Sequence, residues 1–287
     1  MPLANIYSFE AIGTTWSIET ADPIIDVERQ QIQDYIESFD AVYSRFRTDS
    51  AVAKLAKHEK ARFPDSLDQL LAVYRDLEKV SSGGINPLVG TSLNALGYDA
   101  EYSLIAKEAV APTPSLSAFH YENGIATLDE PAILDAGAVG KGYLIDRIAE
   151  IVSPQHTEYV IDGSGDILAR LNHPETIGLE HPDDPTKVIG TINLKTGSLC
   201  ASATNRRAWG NGLHHIIDAR TGAPLQTDII ATWAVADDAF HADALTAGLF
   251  FVNPEELQGL FGTFQYVIMK RNGIVQHNIT NQVGEIF

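Results

Sequence analysis

Tight-turn dipeptides, rather than helices, join several of the β segments in this sequence, and that limits the folds open to it. Asn123-Gly124 stands between FHYE and IATL, and Asn272-Gly273 between YVIMK and IVQHN. Asn-Gly accepts the positive φ of a two-residue hairpin turn, so each pair predicts adjacent antiparallel strands. Residues 7–20 mix aromatic and β-branched side chains around Gly13 and read as another strand pair. Further strands are predicted at 159–162 (YVID), 166–170 (DILAR), 188–194 (VIGTINL), 214–218 (HHIID) and 232–237 (TWAVAD).

The helical segments are set apart from these. Asp22-Pro23 opens the first, whose apolar face is Ile32, Tyr35, Ile36, Phe39, Val42 and Tyr43, the i, i+3, i+4, i+7 spacing of an amphipathic helix. A second is predicted over 65–80, with Leu67, Leu70, Leu71, Tyr74 and Leu77 on one side and Ser81-Ser82-Gly83-Gly84 ending it. A third begins near Lys141 and buries Leu144, Ile145, Ile148 and Ile151; a fourth covers about 240–251. Segregated helices and hairpins, without βαβ alternation, predict an α+β fold of antiparallel sheets with packed helices. The stretch 100–118 has the bland composition of a linker, but 1–287 is read as a single domain, with no internal repeat.

Charge removes whole classes of function. Lys and Arg number 20 against 38 Asp and Glu, a formal net charge of −18. Nucleic-acid binders neutralise phosphates with basic surface, so nucleic acid is excluded as a partner, and anionic membranes are disfavoured. An anionic small molecule would need local cations or a metal against this field. The one cysteine, Cys200, rules out an intrachain disulfide and reads as a small core residue. No apolar run reaches the length of a membrane span. The start, MPLANIYSFEAIG, has neither the basic nor the apolar region of a signal peptide, which points to the cytoplasm.

Three short segments carry the chemistry. DAGAVGKGYLID (135–146) places Asp135, Gly137 and Ala138 in a small-residue turn ahead of a helix. Backbone N–H groups at such a turn can receive phosphate; the alternative is a plain strand-to-helix turn with Asp135 as a cap. HHIIDARTG (214–222) offers His215, whose imidazole is matched to proton transfer near neutral pH. It reads equally as a hairpin with a histidine on its face, in which case His214 points to the other side. ADALTAG (242–248) puts Asp243 in the N-terminal turn of a helix, where taken alone it reads as a cap.

In this order and spacing the three segments resemble the ApbE family, the FAD:protein FMN transferases. Its first pattern is close to D-x-G-G-x-A-K-G-Y-x-x-D. Asp135, Gly137, Lys141, Gly142, Tyr143 and Asp146 match it. The second is H-I-I-D-P-R-T-G, with Ala219 the one departure. The third is A-D-A-L-A-T; here Thr246 comes one residue early and Ala247 holds the usual threonine position. AIGTTW (11–16) resembles M-G-T-x-W, with Ile12 at the methionine. SRFRTDSAVAKL (44–55) resembles S-x-Y/F-x-x-x-S and supplies Phe46. GGINPLVG (83–90) resembles G-x-F-D-P-T-V-G, with Asn86 for Asp, and DGSGDI (162–167) resembles N-x-G-G-D-I. SLCASATNRR (198–207) falls where relatives have T-S-G-x-Y-x-R, keeping Ser202 and Arg206.

The resemblance implies an ApbE-like (T-fold-like) fold and a site spread along the chain. By it, Ile12, Phe46, Gly84, Ile85, Asn86, Asp135, Lys141 and Ile217 contact FAD, the carbonyl of Ala138 with Asp243 and the Thr246/Ala247 pair holds Mg²⁺, and His215 is the catalytic base. The implied reaction moves FMN from FAD onto a threonine of an acceptor protein and releases AMP. Two alternatives stay open: a Mg²⁺-dependent FAD pyrophosphatase that uses water as acceptor, and a flavin-binding protein without catalysis.

Overall fold

The structure, a computed structural model, describes residues 3–107, 109–210 and 212–287. The chain opens with a hairpin, β1 (Asn5–Ala11) and β2 (Thr14–Thr20). Helices α1 (Asp26–Tyr43) and α2 (Ala51–Ala56) follow, then β3 (Ala61–Arg62), α3 (Ser66–Val80) and α4 (Gly90–Ala95). The hairpin β4 (Phe119–Glu122) and β5 (Ile125–Leu128) precedes α5 (Gly140–Val152). Next come β6 (Tyr159–Asp162), a long ribbon of β7 (Ile167–His181) and β8 (Asp184–Ala203), and short pairs β9 (Ala208–Trp209) with β10 (Leu213–His214) and β11 (Ile217–Asp218) with β12 (Ala223–Pro224). The chain ends with β13 (Ile229–Ala236), α6 (Ala239–Gly248), α7 (Pro254–Phe261), β14 (Gln265–Lys270), β15 (Val275–His277) and β16 (Gly284–Ile286).

Nine of these strands form one sheet in the order β1-β2-β6-β7-β8-β13-β14-β15, with β16 alongside β8. Every strand pairing in it among the described residues is antiparallel, as the hairpin dipeptides predict. Both predicted Asn-Gly hairpins form, with Asn123, Gly124 and Gly273 at positive φ. On β2, Trp16, Ile18 and Thr20 alternate inward. They join the apolar faces of α1, α3 and α5 in the main core, where Ile32, Leu67, Leu70, Leu77, Leu144 and Ile148 are almost fully buried. The central strands are covered on both faces. Ala234 of β13 faces that core, while its neighbours Trp233 and Val235 face a second cluster with Val267 and Met269, against which Ile279, Val283 and Ile286 pack. Continuous burial of ATWAV follows from this two-sided covering, not from helical periodicity.

Some expectations change in detail. The first helix starts at Asp26, three residues beyond Pro23, and Glu28 accepts the Ile25 N–H at 2.9 Å to satisfy a free donor of its entry. DILAR and VIGTINL are parts of much longer strands. HHIID is not one strand: β10 ends at His214 and β11 begins at Ile217, so His215 lies in the break between them. The stretch 100–118 is tied to its surroundings rather than free: Lys107 N–H reaches Ala95 O at 2.8 Å and Thr113 N–H reaches Ala219 O at 2.8 Å.

Candidate functional site

The turn before α5 is held by buried polar groups. Asp135 Oδ1 accepts the Gly137 N–H at 2.7 Å, and Oδ2 accepts Arg45 Nε at 2.5 Å. Tyr74 Oη donates to the Asp135 carbonyl at 3.0 Å and sits 3.3 Å from the Ala138 N–H. The carboxylate therefore organises its own loop, and a guanidinium already balances its charge.

From this turn α5 runs directly against α6. A Cβ on Gly142 would lie 2.1 Å from the Ala239 carbonyl oxygen and 2.7 Å from Asp243 Cβ, so only glycine permits the crossing. The Gly142 N–H, an orphan donor of the first turn, reaches Asp243 Oδ2 at 2.9 Å. The Asp146 carboxylate accepts the Ala239 and Phe240 N–H groups at 3.0 and 2.9 Å, capping α6 from the other helix. Lys141 Nζ pairs with the fully buried Asp166 at 2.9 Å. Asp166 in turn accepts the Ala201 N–H at 2.9 Å.

Burial, and then repulsion from Asp166, push the Asp243 carboxyl up to about 8; Lys141 and the Gly142 N–H pull it back only partly. A carboxyl that holds its proton at neutral pH for want of a counter-charge is one that a cation can claim. Among the described residues no three His, Cys, Asp or Glu side chains converge into a metal cluster. Any cation here would therefore rest on no more than two carboxylates, with carbonyl, hydroxyl and water oxygens completing a donor set that suits Mg²⁺.

The displaced threonine has a defined place. Thr246 is fully buried; its hydroxyl donates to the Asp243 carbonyl at 2.7 Å and lies 2.9 Å from Ser202 Oγ, while Thr232 Oγ1 donates to the Thr246 carbonyl at 2.9 Å. Ala247 is half-buried and carries no hydroxyl. Thr246 thus ties α6 to β8 and β13.

A second group of residues surrounds Phe46. Its half-buried ring stacks on Tyr102 (centroids 5.1 Å apart, planes at 12°) and meets the edge of Tyr98 at 5.5 Å. The Arg45 guanidinium lies 4.2 Å from the Phe46 centroid. Ile12 occupies the β1–β2 turn at φ 43, a region that β-branched side chains rarely enter. Strain of this kind amounts to roughly 1–3 kcal/mol and persists where surroundings enforce it. Ile12→Asn, which tolerates that φ, is expected to keep stability within about 1 kcal/mol in denaturant titration, relief of strain offsetting lost contacts. It should still weaken FAD binding in fluorescence titration. Weakening of both in parallel would make Ile12 a plain packing residue.

The 84–86 segment is built into the protein from several sides. The Asn86 amide donates to Glu78 at 2.9 Å and to the Pro114 carbonyl at 3.0 Å, and its oxygen accepts the Leu88 N–H at 2.9 Å. Its side chain is engaged internally, so a ligand passing here would meet backbone. Ile85 lies in the main core, and Ile217 packs with Leu93, Leu96, Tyr98 and Trp209. A Cβ on Gly84 would sit 2.8 Å from the Phe251 ring.

His215 is enclosed although part of the residue reaches solvent. Its Nδ1 is buried with no hydrogen-bond partner among the described residues, and so is that of His214. Burial pushes His215 down to about 3, and the nearby charges of Arg207 and His214 act in the same direction. His215 is therefore a neutral imidazole at pH 7. The expectation that strand alternation turns His214 away fails, because the strand ends between the two residues.

Counting from Ser202, the arginine of the T-S-G-x-Y-x-R pattern falls on Arg207, not Arg206. Arg206 makes an exposed ion pair with Glu180 at 3.0 Å, whereas the charge of Arg207 is felt by His215, Asp243 and Tyr98. Sequence reasoning does not single out Arg45, Tyr74, Asp166 or Tyr102, which the structure places beside the expected site residues. The signal for two of them was present: Arg45 adjoins Phe46, and Asp166 ends the glycine turn of DGSGDI.

The profile described as ApbE family matches residues 12–267. The FAD:protein FMN transferase of Escherichia coli (strain K12) is 21% identical over a 309-residue alignment covering 97% of this chain and 84% of that protein. That of Haemophilus influenzae is 24% identical over 283 residues, covering 87% and 81%. The crystal structure of the ApbE protein from Thermotoga maritima aligns with a TM-score of 0.83 at 21% identity, over 96% of this chain and 97% of that one. The apo flavinyl transferase ApbE of Pseudomonas stutzeri gives 0.76 at 17% identity, over 95% and 94%. The expected α+β fold of antiparallel sheets and packed helices is the fold of these proteins.

Proposed function

Since the chain belongs to the ApbE family, we propose that it is an FAD:protein FMN transferase acting on a threonine of an acceptor protein. The hydroxyl oxygen of that threonine attacks the FMN-side phosphorus of FAD, the pyrophosphate bond breaks, and AMP leaves. The acceptor gains FMN through a phosphoester. The observation that carries this reading is Asp243: a buried carboxyl pushed up to about 8, held on the Gly142 N–H beside the Lys141–Asp166 pair.

Transfer of this kind depends on placement and charge neutralisation more than on a protein nucleophile. Asp243, with the Ala138 carbonyl and water, would hold Mg²⁺, which when bound offsets the negative charge of the pyrophosphate. Thr246 supports this site through the Asp243 carbonyl and Ser202 rather than as a free ligand. Lys141 and Arg207 add positive charge against the field of a −18 protein. His215, neutral at working pH, accepts the threonine proton. The flavin ring lies between Ile12 and Phe46, with Gly84, Ile85, Asn86 and Ile217 along the ligand. Contributions from residue 12 to residue 243 make 1–287 one functional unit.

Incubation with FAD, Mg²⁺ and an acceptor protein carrying a flavinylation threonine, read by intact mass, tests this. A gain of FMN on the acceptor supports transfer. FMN and AMP in solution with an unchanged acceptor would replace it with pyrophosphate hydrolysis, and intact FAD with binding alone. The ring site has its own test. Phe46→Ala removes the planar partner of the flavin and is expected to weaken FAD binding several-fold in fluorescence titration; unchanged affinity would remove Phe46 from the site.

A further inference from the structure

We infer that Tyr102 holds the place that the flavin ring takes and must swing out before FAD can seat. The inference rests on the reading of Ile12 and Phe46 as the residues that take the ring. Tyr102 spans the space between them. Its ring stacks on Phe46 at 5.1 Å with the planes 12° apart, and its hydroxyl lies 3.8 Å from the position of a Cβ on Gly13, the residue after Ile12. Two aromatic planes in direct contact leave no room for a third between them. The Arg45 guanidinium also lies over Phe46 at 4.2 Å, so the ring already has two partners. An isoalloxazine can therefore reach Phe46 from the Ile12 side only by replacing Tyr102.

The segment is built to let the ring go. Its base is pinned: Asp99 accepts Ser103 N–H and Oγ–H at 2.9 and 2.6 Å and pairs with Lys107 at 2.5 Å, and Leu104 N–H reaches the Gly97 carbonyl at 2.8 Å. Its tip is not buried. Tyr102, Leu104 and Ile105 are 52%, 43% and 69% exposed, and Tyr102 and Leu104 sit at φ 50 and 53. A side chain half in solvent on a pinned loop can leave by rotation about its own bonds, without the loop unfolding. It surrenders the stack on Phe46 and an edge contact with Tyr98 at 5.6 Å, contacts of the same kind as the flavin gains. Tyr102 thus acts as a competitor of the ring end of FAD, and of that end alone.

The test titrates FAD, FMN and ADP into wild type, Tyr102→Ala, Tyr102→Phe and the double variant Phe46→Ala/Tyr102→Ala, with chelator present to prevent turnover. Tyr102→Ala is expected to bind FAD and FMN about three- to tenfold more tightly, the size of one lost aromatic contact, with ADP affinity unchanged. Tyr102→Phe keeps the ring and should behave as wild type. Weaker or unchanged FAD and FMN binding in Tyr102→Ala would make Tyr102 a wall of the site or a bystander, and overturn the inference. So would equal tightening for ADP, which would mean a loosened loop. The double variant Phe46→Ala/Tyr102→Ala, compared with Tyr102→Ala, separates the two levels, because Phe46→Ala alone also frees Tyr102: if the double variant binds FAD as Tyr102→Ala does, the ring lies elsewhere and the underlying reading fails instead.

Discussion

Asp243→Asn is expected to abolish metal-dependent release of AMP from FAD while leaving the fold intact. The amide oxygen can still accept the Gly142 N–H that Asp243 Oδ2 accepts at 2.9 Å, so the α5–α6 crossing survives. What disappears is the charge that holds a hard cation. The sign of the stability change follows from the raised carboxyl. Its ordinary value is 3.8 and burial with Asp166 lifts it to about 8. A raised carboxyl favours the folded state fully below about pH 4, and that contribution is lost as pH climbs towards 8. Metal-free wild type should therefore lose stability between about pH 4 and 8 relative to Asp243→Asn, which has no proton to release. Denaturant unfolding in chelator at pH 5 and pH 8 measures this. In the same window Mg²⁺ affinity of wild type should rise about tenfold per pH unit, since binding expels one proton. Turnover that survives in Asp243→Asn with normal Mg²⁺ dependence would place the cation elsewhere.

His215→Ala is expected to lower the rate of AMP release about 10²–10⁴-fold at saturating FAD and Mg²⁺, the usual contribution of a general base. FAD affinity should change little, because proton transfer belongs to the transition state. Burial holds His215 down at about 3, with Arg207 and His214 adding to the effect. The imidazole is thus unprotonated across pH 5–8, and the free enzyme should show no acid limb near 6.5 from this residue. An anionic pyrophosphate beside it would raise its proton affinity only once substrate is bound, which couples base strength to occupancy. His214→Ala is the comparison. His214 pairs through its backbone with Ala208 in the β9–β10 ladder, so its truncation should leave kcat within a few-fold. Equal losses from both variants, or an FAD affinity that falls in step with rate, would make His215 a structural residue.

The sequence carried the architecture well and the site less evenly, for physical reasons. Hairpins at Asn123-Gly124 and Asn272-Gly273 were legible because turn chemistry is local. The stripes of α1, α3 and α5 were legible because one face meets a core. HHIID was misread as a strand because alternation cannot reveal a break at His215. The length of β7 is not legible because residues 172–176 are exposed and polar and lack an alternating apolar face. Motif order pointed to Asp243 and Lys141, but not to Asp166, whose partnership with Lys141 at 2.9 Å depends on a β6–β7 turn arriving from elsewhere in the chain. Tyr102 lay in a stretch whose composition suggested a linker. Its stacking on Phe46 is a tertiary contact between two loops, invisible to periodicity.

The crossing at Gly142 gives the two ends of the site different mechanical characters. Lys141 and Asp243 sit on helices that meet backbone against backbone, with α6 capped by Asp146 from α5. That pair is stiff, and the spacing of its charges tolerates little drift. Ile12, Phe46 and Tyr102 sit on turns and a solvent-facing loop. On the proposed reading of these residues, substitutions among them would reshape which ring the protein accepts without disturbing the phosphate chemistry. Descendants of this chain could diverge in flavin preference while keeping the same reaction. On warming, protection from amide exchange should last longer across the α5–α6 seam than in the solvent-facing loop around 99–107.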